Sequence, residues 1–150
     1  MVLCYRDEYS KVLGESRGEF KVQLVHEWLI QLELPKVNPG KTQNYALFGH
    51  CSEKTALPTS EKQWQQIFQK TGLNLSAVSV GCCGMAGTFG HEASHLHEST
   101  GIYQLSWQQA VSQFEPEQIV ATGYSCRSQV ARFEEFKPKH PLQVLAMSFE

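Results

Sequence analysis

Four of the five cysteines in this 150-residue chain, namely Cys51, the adjacent pair Cys82 and Cys83, and Cys126, each follow a short strand-like run. The runs cover residues 44–48, 76–80 and 118–122, and helical patterns fill the intervals between them. Strands alternating with helices predict βα units around a mostly parallel sheet. In such a sheet the C-terminal strand ends line one edge, and that edge is where ligands bind. Thirty residues separate Cys51 from Cys82, and 42 separate Cys83 from Cys126. Both intervals suit a strand–helix–strand return. The expected fold is therefore α/β, a mostly parallel sheet flanked by helices in a Rossmann-like three-layer arrangement, with four distant thiols on one rim.

Composition narrows the setting. Residues 1–150 suit a single domain, with a hydrophobic fraction of 41% and a charged fraction of 19%, as in ordinary globular proteins. A net charge of −2 gives no reason to expect nucleic acid as a partner. The basic residues Arg127, Arg132, Lys137 and Lys139 thicken toward the end, which fits a solvated face better than a docking patch. No apolar run reaches membrane-spanning length, and the first residues lack the pattern of a signal peptide. A cytoplasmic location follows, with peripheral attachment at the inner face of a membrane left open. An odd cysteine count in such a chain argues against a disulfide framework and for metal binding or redox chemistry.

Along the chain, residues 2–5 and 20–25 look like strands, and residues 26–34 suggest a short helix. Pro35, Asn38, Pro39 and Gly40 mark a loop over residues 35–41. Residues 60–70 predict a helix with Ser60 as N-cap, Trp64, Ile67 and Phe68 on one face, and Gly72 as its stop. A second helical region runs from His91 to about Phe114 with a break expected near Gly101. Residues 125–136 and a segment after Pro141 complete the helices. Cys4, among apolar neighbours in an apparent strand, reads as a core residue.

Four thiolates suit a tetrahedral zinc site or the corners of an iron–sulfur cluster. Successive side chains diverge along an extended backbone, so an adjacent pair serves a single ion poorly. A cluster with several irons removes that difficulty. Gly81, Gly84, Gly87 and Gly90 recur at every third position; they permit positive φ and close approach of the backbone to a bulky inorganic group. Amides of such a turn can point at sulfur. His50 and His91 stand near the cysteines and could donate to sulfur, and Arg127 follows Cys126, where its charge would favour a thiolate. The run His91-Glu92-Ala93-Ser94-His95 matches the HExxH zinc motif, but Glu98 and Gly101 stand where its longer form needs Gly and His. Trp28, Trp64 and Trp107 fit helix faces as core residues or partner-facing anchors.

The stretch GCCGMAGTFG, with Cys51 and the Gly-Tyr-Ser-Cys ending at Cys126, resembles the cysteine-rich CCG domain. That family occurs in iron–sulfur subunits of glycolate and lactate oxidases, glycerol-3-phosphate dehydrogenase and heterodisulfide reductase. The wider stretches CCGMAGTFGHE, ATGYSCRSQV and KHPLQVL look similar to the C-terminal end of FAD-linked iron–sulfur D-2-hydroxyacid oxidoreductases of the D-2-hydroxyglutarate dehydrogenase type. The resemblance covers residues 44–145. It implies an iron–sulfur cluster, [4Fe-4S] in the first instance with zinc as the alternative, held by Cys51, Cys82, Cys83 and Cys126. His50, His91, Arg127, Gly84 and Gly87 would surround it. It further implies an electron path from FAD in a partner dehydrogenase domain or subunit, through a further iron–sulfur module, to a quinone or other acceptor. The family's last element is often Cys-x-x-Cys; here Gly123 stands at the first of those positions, leaving four ligands. The flavin-binding region and a ferredoxin-type cysteine run lie outside these 150 residues, so the chain reads as a fragment or module. A zinc-holding or metal-free docking module of the same complex is the alternative.

Overall fold

A computed structural model describes residues 2–19, 21–37 and 44–149. Phe20 and the loop residues Asn38, Pro39, Gly40 and Lys41 lie outside these. Three strands, β1 (Asn44–Phe48), β2 (Asn74–Ala77) and β3 (Ile119–Ala121), form a parallel sheet in the order β2-β1-β3. Ala46 pairs with Ser76 on one side of β1 and with Ile119 on the other. The expected α/β class is thus the observed one, and the bounds expected for β1 are met residue for residue.

Alternation along β1 and β3 explains the layers. Ala46, Phe48, Ile119 and Ala121 face one core with Tyr103, Trp107 and Val130. Leu47 and Val120 face the other, with Trp64, Ile67, Phe68, Val144 and Leu145. A strand covered on both faces reads as a continuous apolar run, which is why residues 44–48 were legible. The helices that cover the sheet are α4 (Ser60–Thr71) and α7 (Pro141–Ser148) on one side, and α5 (Leu96–Val111) and α6 (Tyr124–Phe133) on the other. Three shorter or outlying helices complete the set: α1 (Val2–Leu13), α2 (Val25–Leu29) and α3 (Cys51–Ala56).

Helix α4 buries Trp64, Ile67, Phe68 and Thr71, the spacing of one helical stripe. Gly72 ends it in the left-handed region with φ 86°, as a C-terminal glycine does. Its N-cap is Thr59, one residue before the expected Ser60.

Three expectations fail. Residues 2–5 belong to α1, and Cys4 is exposed on it and outside the core. Val2, Tyr5, Tyr9 and Val12 repeat at helical spacing; the first four residues alone were too short a window to separate strand from helix. Residues 21–24 are irregular and α2 begins at Val25. Glu27 decides that start: its carboxylate accepts from the Leu24 N–H at 2.9 Å and pairs with Arg6 of α1. Finally, α5 runs unbroken through Gly101, where an added Cβ would meet nothing within 4 Å. A lone exposed glycine costs a helix only about 1 kcal/mol, too little to break one anchored by buried Tyr103 and Trp107. Among the described residues, no helix is long and apolar enough to cross a membrane.

Candidate functional site

Each strand delivers its cysteine to the same edge. Cys51 opens α3 directly after β1, with His50 as N-cap. Cys82 and Cys83 lie in the glycine-rich segment after β2, and Cys126 is the third residue of α6 after β3, with Gly123 as N-cap. Polar ties hold the three exits together. The His50 N–H donates to Thr122 Oγ1 at 3.0 Å, and Lys54 Nζ donates to the Val80 carbonyl at 2.7 Å.

The glycine-rich segment is clamped from below by α5 and α6. Trp107 Nε1 donates to the Gly81 carbonyl at 3.0 Å, and Ser99 Oγ donates to the Gly84 carbonyl at 2.8 Å. Gln129 Nε2 reaches Ser99 Oγ at 2.9 Å, and Arg132 donates to the Gly90 carbonyl. At Gly84 φ is +86° and a Cβ would lie 2.4 Å from the Ser99 carbonyl oxygen. The position takes glycine for two independent reasons, left-handed backbone and absent space. Gly87 also has positive φ, but open space surrounds it.

The tandem cysteines interact with each other and take different outer neighbours. Cys82 is half-buried and meets Cys51, while Cys83 is buried and meets Cys126. The four thiols, drawn from three strand ends, thus interact with one another: Cys51 with Cys82, Cys82 with Cys83, Cys83 with Cys126, and Cys51 with Cys126 through charge. Their electrostatics differ. Burial pushes the Cys82 thiol up, against the Gly84 N–H that donates to its sulfur at 3.4 Å. The Cys126 S–H, donating to its neighbour, brings the Cys83 thiol down to about 7. The same interaction, with burial second, pushes Cys126 up. One of this buried pair therefore reaches the thiolate form, the form that binds metal, near neutral pH. Among the described residues, no three histidine, cysteine or acidic side chains stand ready as a cage for one metal ion.

Of the residues expected around the thiols, the structure brings in His50 and Gly84. The His50 imidazole lies against Gly123, with Nε2 3.3 Å from Ser125 Oγ; burial lowers its pKa and keeps the ring neutral. Arg127 instead directs its guanidinium to Gln143 Oε1 at 3.1 Å and over the Tyr124 ring. His91 is exposed in a 3₁₀ turn, Phe89–His91, and His95 sits in a second, Ala93–His95, stacked on Phe89. Glu92 between them is extended, so the two histidines of the HExxH pattern do not share one helical face. Sequence reasoning missed Ser125, Thr122 and Lys54 at the rim, and the Ser99–Gln129 clamp. Ser125 had the one available signal, its position beside Cys126.

The fold is thus a parallel α/β domain that gathers cysteines from three strand ends at one edge. Comparison with known proteins finds similarity to D-2-hydroxyglutarate dehydrogenases. The chain is 53% identical over 146 residues to the D-2-hydroxyglutarate dehydrogenase of Escherichia coli, covering 97% of this chain and 14% of that protein. It is 52% identical over 145 residues to the enzyme of the same name from Pantoea ananatis, again 14% of its length. The Haemophilus influenzae enzyme is 46% identical over 154 residues. Nearly the whole chain thus corresponds to a small segment of much longer dehydrogenases. No protein-family model matches the chain, and no solved structure matches it.

Proposed function

We propose that this domain holds an iron–sulfur cluster on Cys51, Cys82, Cys83 and Cys126 and serves as an electron-transfer part of a D-2-hydroxyacid oxidoreductase. The substrate suggested by the relatives' names is D-2-hydroxyglutarate. The carrying observation is that four thiols from three separate strand ends come to one sheet edge and interact with one another there. The residues present fit such a group. The donor set is all sulfur, the tandem pair takes Cys51 on one side and Cys126 on the other as further neighbours, and Gly84 supplies both a left-handed turn and an N–H aimed at Cys82. Adjacent thiols with different outer neighbours suit a cluster with several metal atoms better than a single zinc ion.

When bound, the cluster would supply one-electron transfer between the FAD of a partner dehydrogenase portion, by way of a further iron–sulfur module, and a quinone or other acceptor. The chain's own residues prepare the site. Cys83 loses its proton most readily, because the Cys126 S–H supports its thiolate. The clamp of Ser99 and Gln129 fixes the backbone beside it, so binding finds the tandem pair already placed. Burial of Cys83 and Cys126 shields the inner sulfurs from water and oxidants.

Anaerobic purification followed by iron and acid-labile sulfide assays tests this reading. The expected result is a brown protein with visible absorbance, both lost in Cys82→Ser and Cys83→Ser variants that keep native circular dichroism. Stoichiometric zinc in a colourless folded protein would replace the cluster with a structural metal and a docking role.

A further inference from the structure

The imidazole of His50 occupies a notch that exists because residue 123 has no side chain. A Cβ at Gly123 would sit 2.3 Å from His50 Cδ2, 3.0 Å from His50 Cγ and 2.9 Å from Cys126 Sγ. Histidine ring, glycine backbone and cysteine sulfur are therefore in mutual contact at the first turn of α6. The ring is fixed at its other end as well. His50 is the N-cap of α3 in extended conformation, with φ −65° and ψ 133°, and its backbone N–H donates to Thr122 Oγ1. Nε2 lies 3.3 Å from Ser125 Oγ, so the ring is tied to the residue that precedes Cys126 in the first turn of α6.

We propose that His50 is a positioning residue for Cys126: seated in the Gly123 notch beside the Cys126 sulfur and tied to Ser125, it locks the first turn of α6, so that this thiol faces Cys83 in one orientation. The consequence for cluster binding rests on the four-cysteine reading above, whereas the positioning itself is a property of the metal-free chain. Ordinary packing would need a ring of this size but not its nitrogen. A positioning role needs a hydrogen-bonding group at the Nε2 place, which a glutamine amide can supply.

The test uses the whole chain, metal-free and anaerobically prepared. Iodoacetamide labelling of Cys126 is followed by peptide mass spectrometry, with Cys82 as internal reference. His50→Ala and Ser125→Ala are expected to speed Cys126 labelling about tenfold, the scale set by one hydrogen bond of ordinary net strength. His50→Gln is expected to return it to within about twofold of the starting rate. In protein carrying a reduced cluster, His50→Ala and Ser125→Ala are expected to shift the electron paramagnetic resonance spectrum, and His50→Gln to leave it close to the original. Unchanged labelling in both alanine variants would overturn the proposal, as would equal effects of His50→Gln and His50→Ala. If no metal binds at all, the cluster reading falls while the labelling arm still decides the role of His50. Gly123→Ala, which drives a methyl into ring and sulfur, should resemble His50→Ala; if it does not fold, the other variants carry the decision.

Discussion

Replacing Gly84 by alanine perturbs the rim without touching a cysteine, and its cost follows from two numbers. The φ of +86° charges any L side chain about 1–2 kcal/mol for left-handed backbone. The new methyl would lie 2.4 Å from the Ser99 carbonyl oxygen and 3.0 Å from Gln129 Nε2. The first of these is backbone of a helix anchored by Tyr103 and Trp107, so it cannot move cheaply. Overpacking of this kind adds about 1–3 kcal/mol, for a total near 2–5 kcal/mol. Gly87→Ala is the matched control: φ is +56° and nothing lies within 4 Å, so only the backbone charge of about 1–2 kcal/mol applies. The loss of unfolded-chain freedom is shared by both variants and cancels between them. The gap of about 1–3 kcal/mol isolates the contact with Ser99. Urea unfolding of the metal-free chain measures it, with unchanged slope as the check that only stability has moved. In a thermal scan each kcal/mol corresponds to roughly 2–4 °C. Equal destabilisation by the two substitutions, within about 0.5 kcal/mol, would refute the claim that the Ser99 contact fixes this turn.

Two further substitutions probe titrating groups. Burial, with the Arg127 charge second, lowers His140 to about 4, whereas the unfolded chain takes up that proton near 6.5. Between those values the unfolded state binds more protons, so the contribution is whole above about 6.5 and lost as pH falls toward 4. The slope from this one group is at most about 1.4 kcal/mol per pH unit. His140→Asn keeps an acceptor for the Leu142 N–H that His140 Nδ1 now caps; it should flatten the acid limb of the urea midpoint between pH 4 and 6.5, leaving the share of buried His26 and half-buried His50, both of which desolvation lowers. At alkaline pH, burial and then the Glu134 carboxylate, 3.0 Å from the hydroxyl, push Tyr103 up. Tyr103→Phe should remove the latest-ionising phenol from a spectrophotometric titration and cost about 1 kcal/mol.

What the sequence made legible depended on burial from both sides. Residues 45–48 formed an apolar run ended by Gly49, whereas the similar run at residues 2–5 was too short to tell strand from helix. Residues 76–80 were harder: β2 pairs over Asn74–Ala77, and Ser76 and Ala77 are exposed, so the apolar alternation of Val78 and Val80 drew the expected strand two residues late at its start and three residues too far at its end. The Val78 N–H still donates to Leu47 at 2.9 Å, which shows that the ladder fades rather than stops. The cysteine positions were legible because strand ends in a parallel sheet have a common edge. The orientation of the ring beside Gly123 was not, since it depends on how far α3 and α6 start from one another. Nor was the turn of Arg127 toward Gln143, because α7 approaches from a distant part of the chain.

The order of assembly follows from where the stability lies. Two apolar cores, one on each face of the sheet, bury Phe48, Trp107 and Ile119 on one side and Leu47, Trp64 and Phe68 on the other. Each such side chain contributes about 1.5–3 kcal/mol, and none of these six touches the rim through a bond to metal. The sheet can therefore register without the proposed cluster, in contrast to small modules whose folding waits for their metal. Once β1, β2 and β3 are aligned, the three cysteine-bearing exits have nowhere else to go. Thr122 holds the first exit to the third, Lys54 the first to the second, and Ser99 with Gln129 fixes the tandem pair. Metal removal is accordingly expected to leave the cores and the circular dichroism intact while freeing the thiols to react.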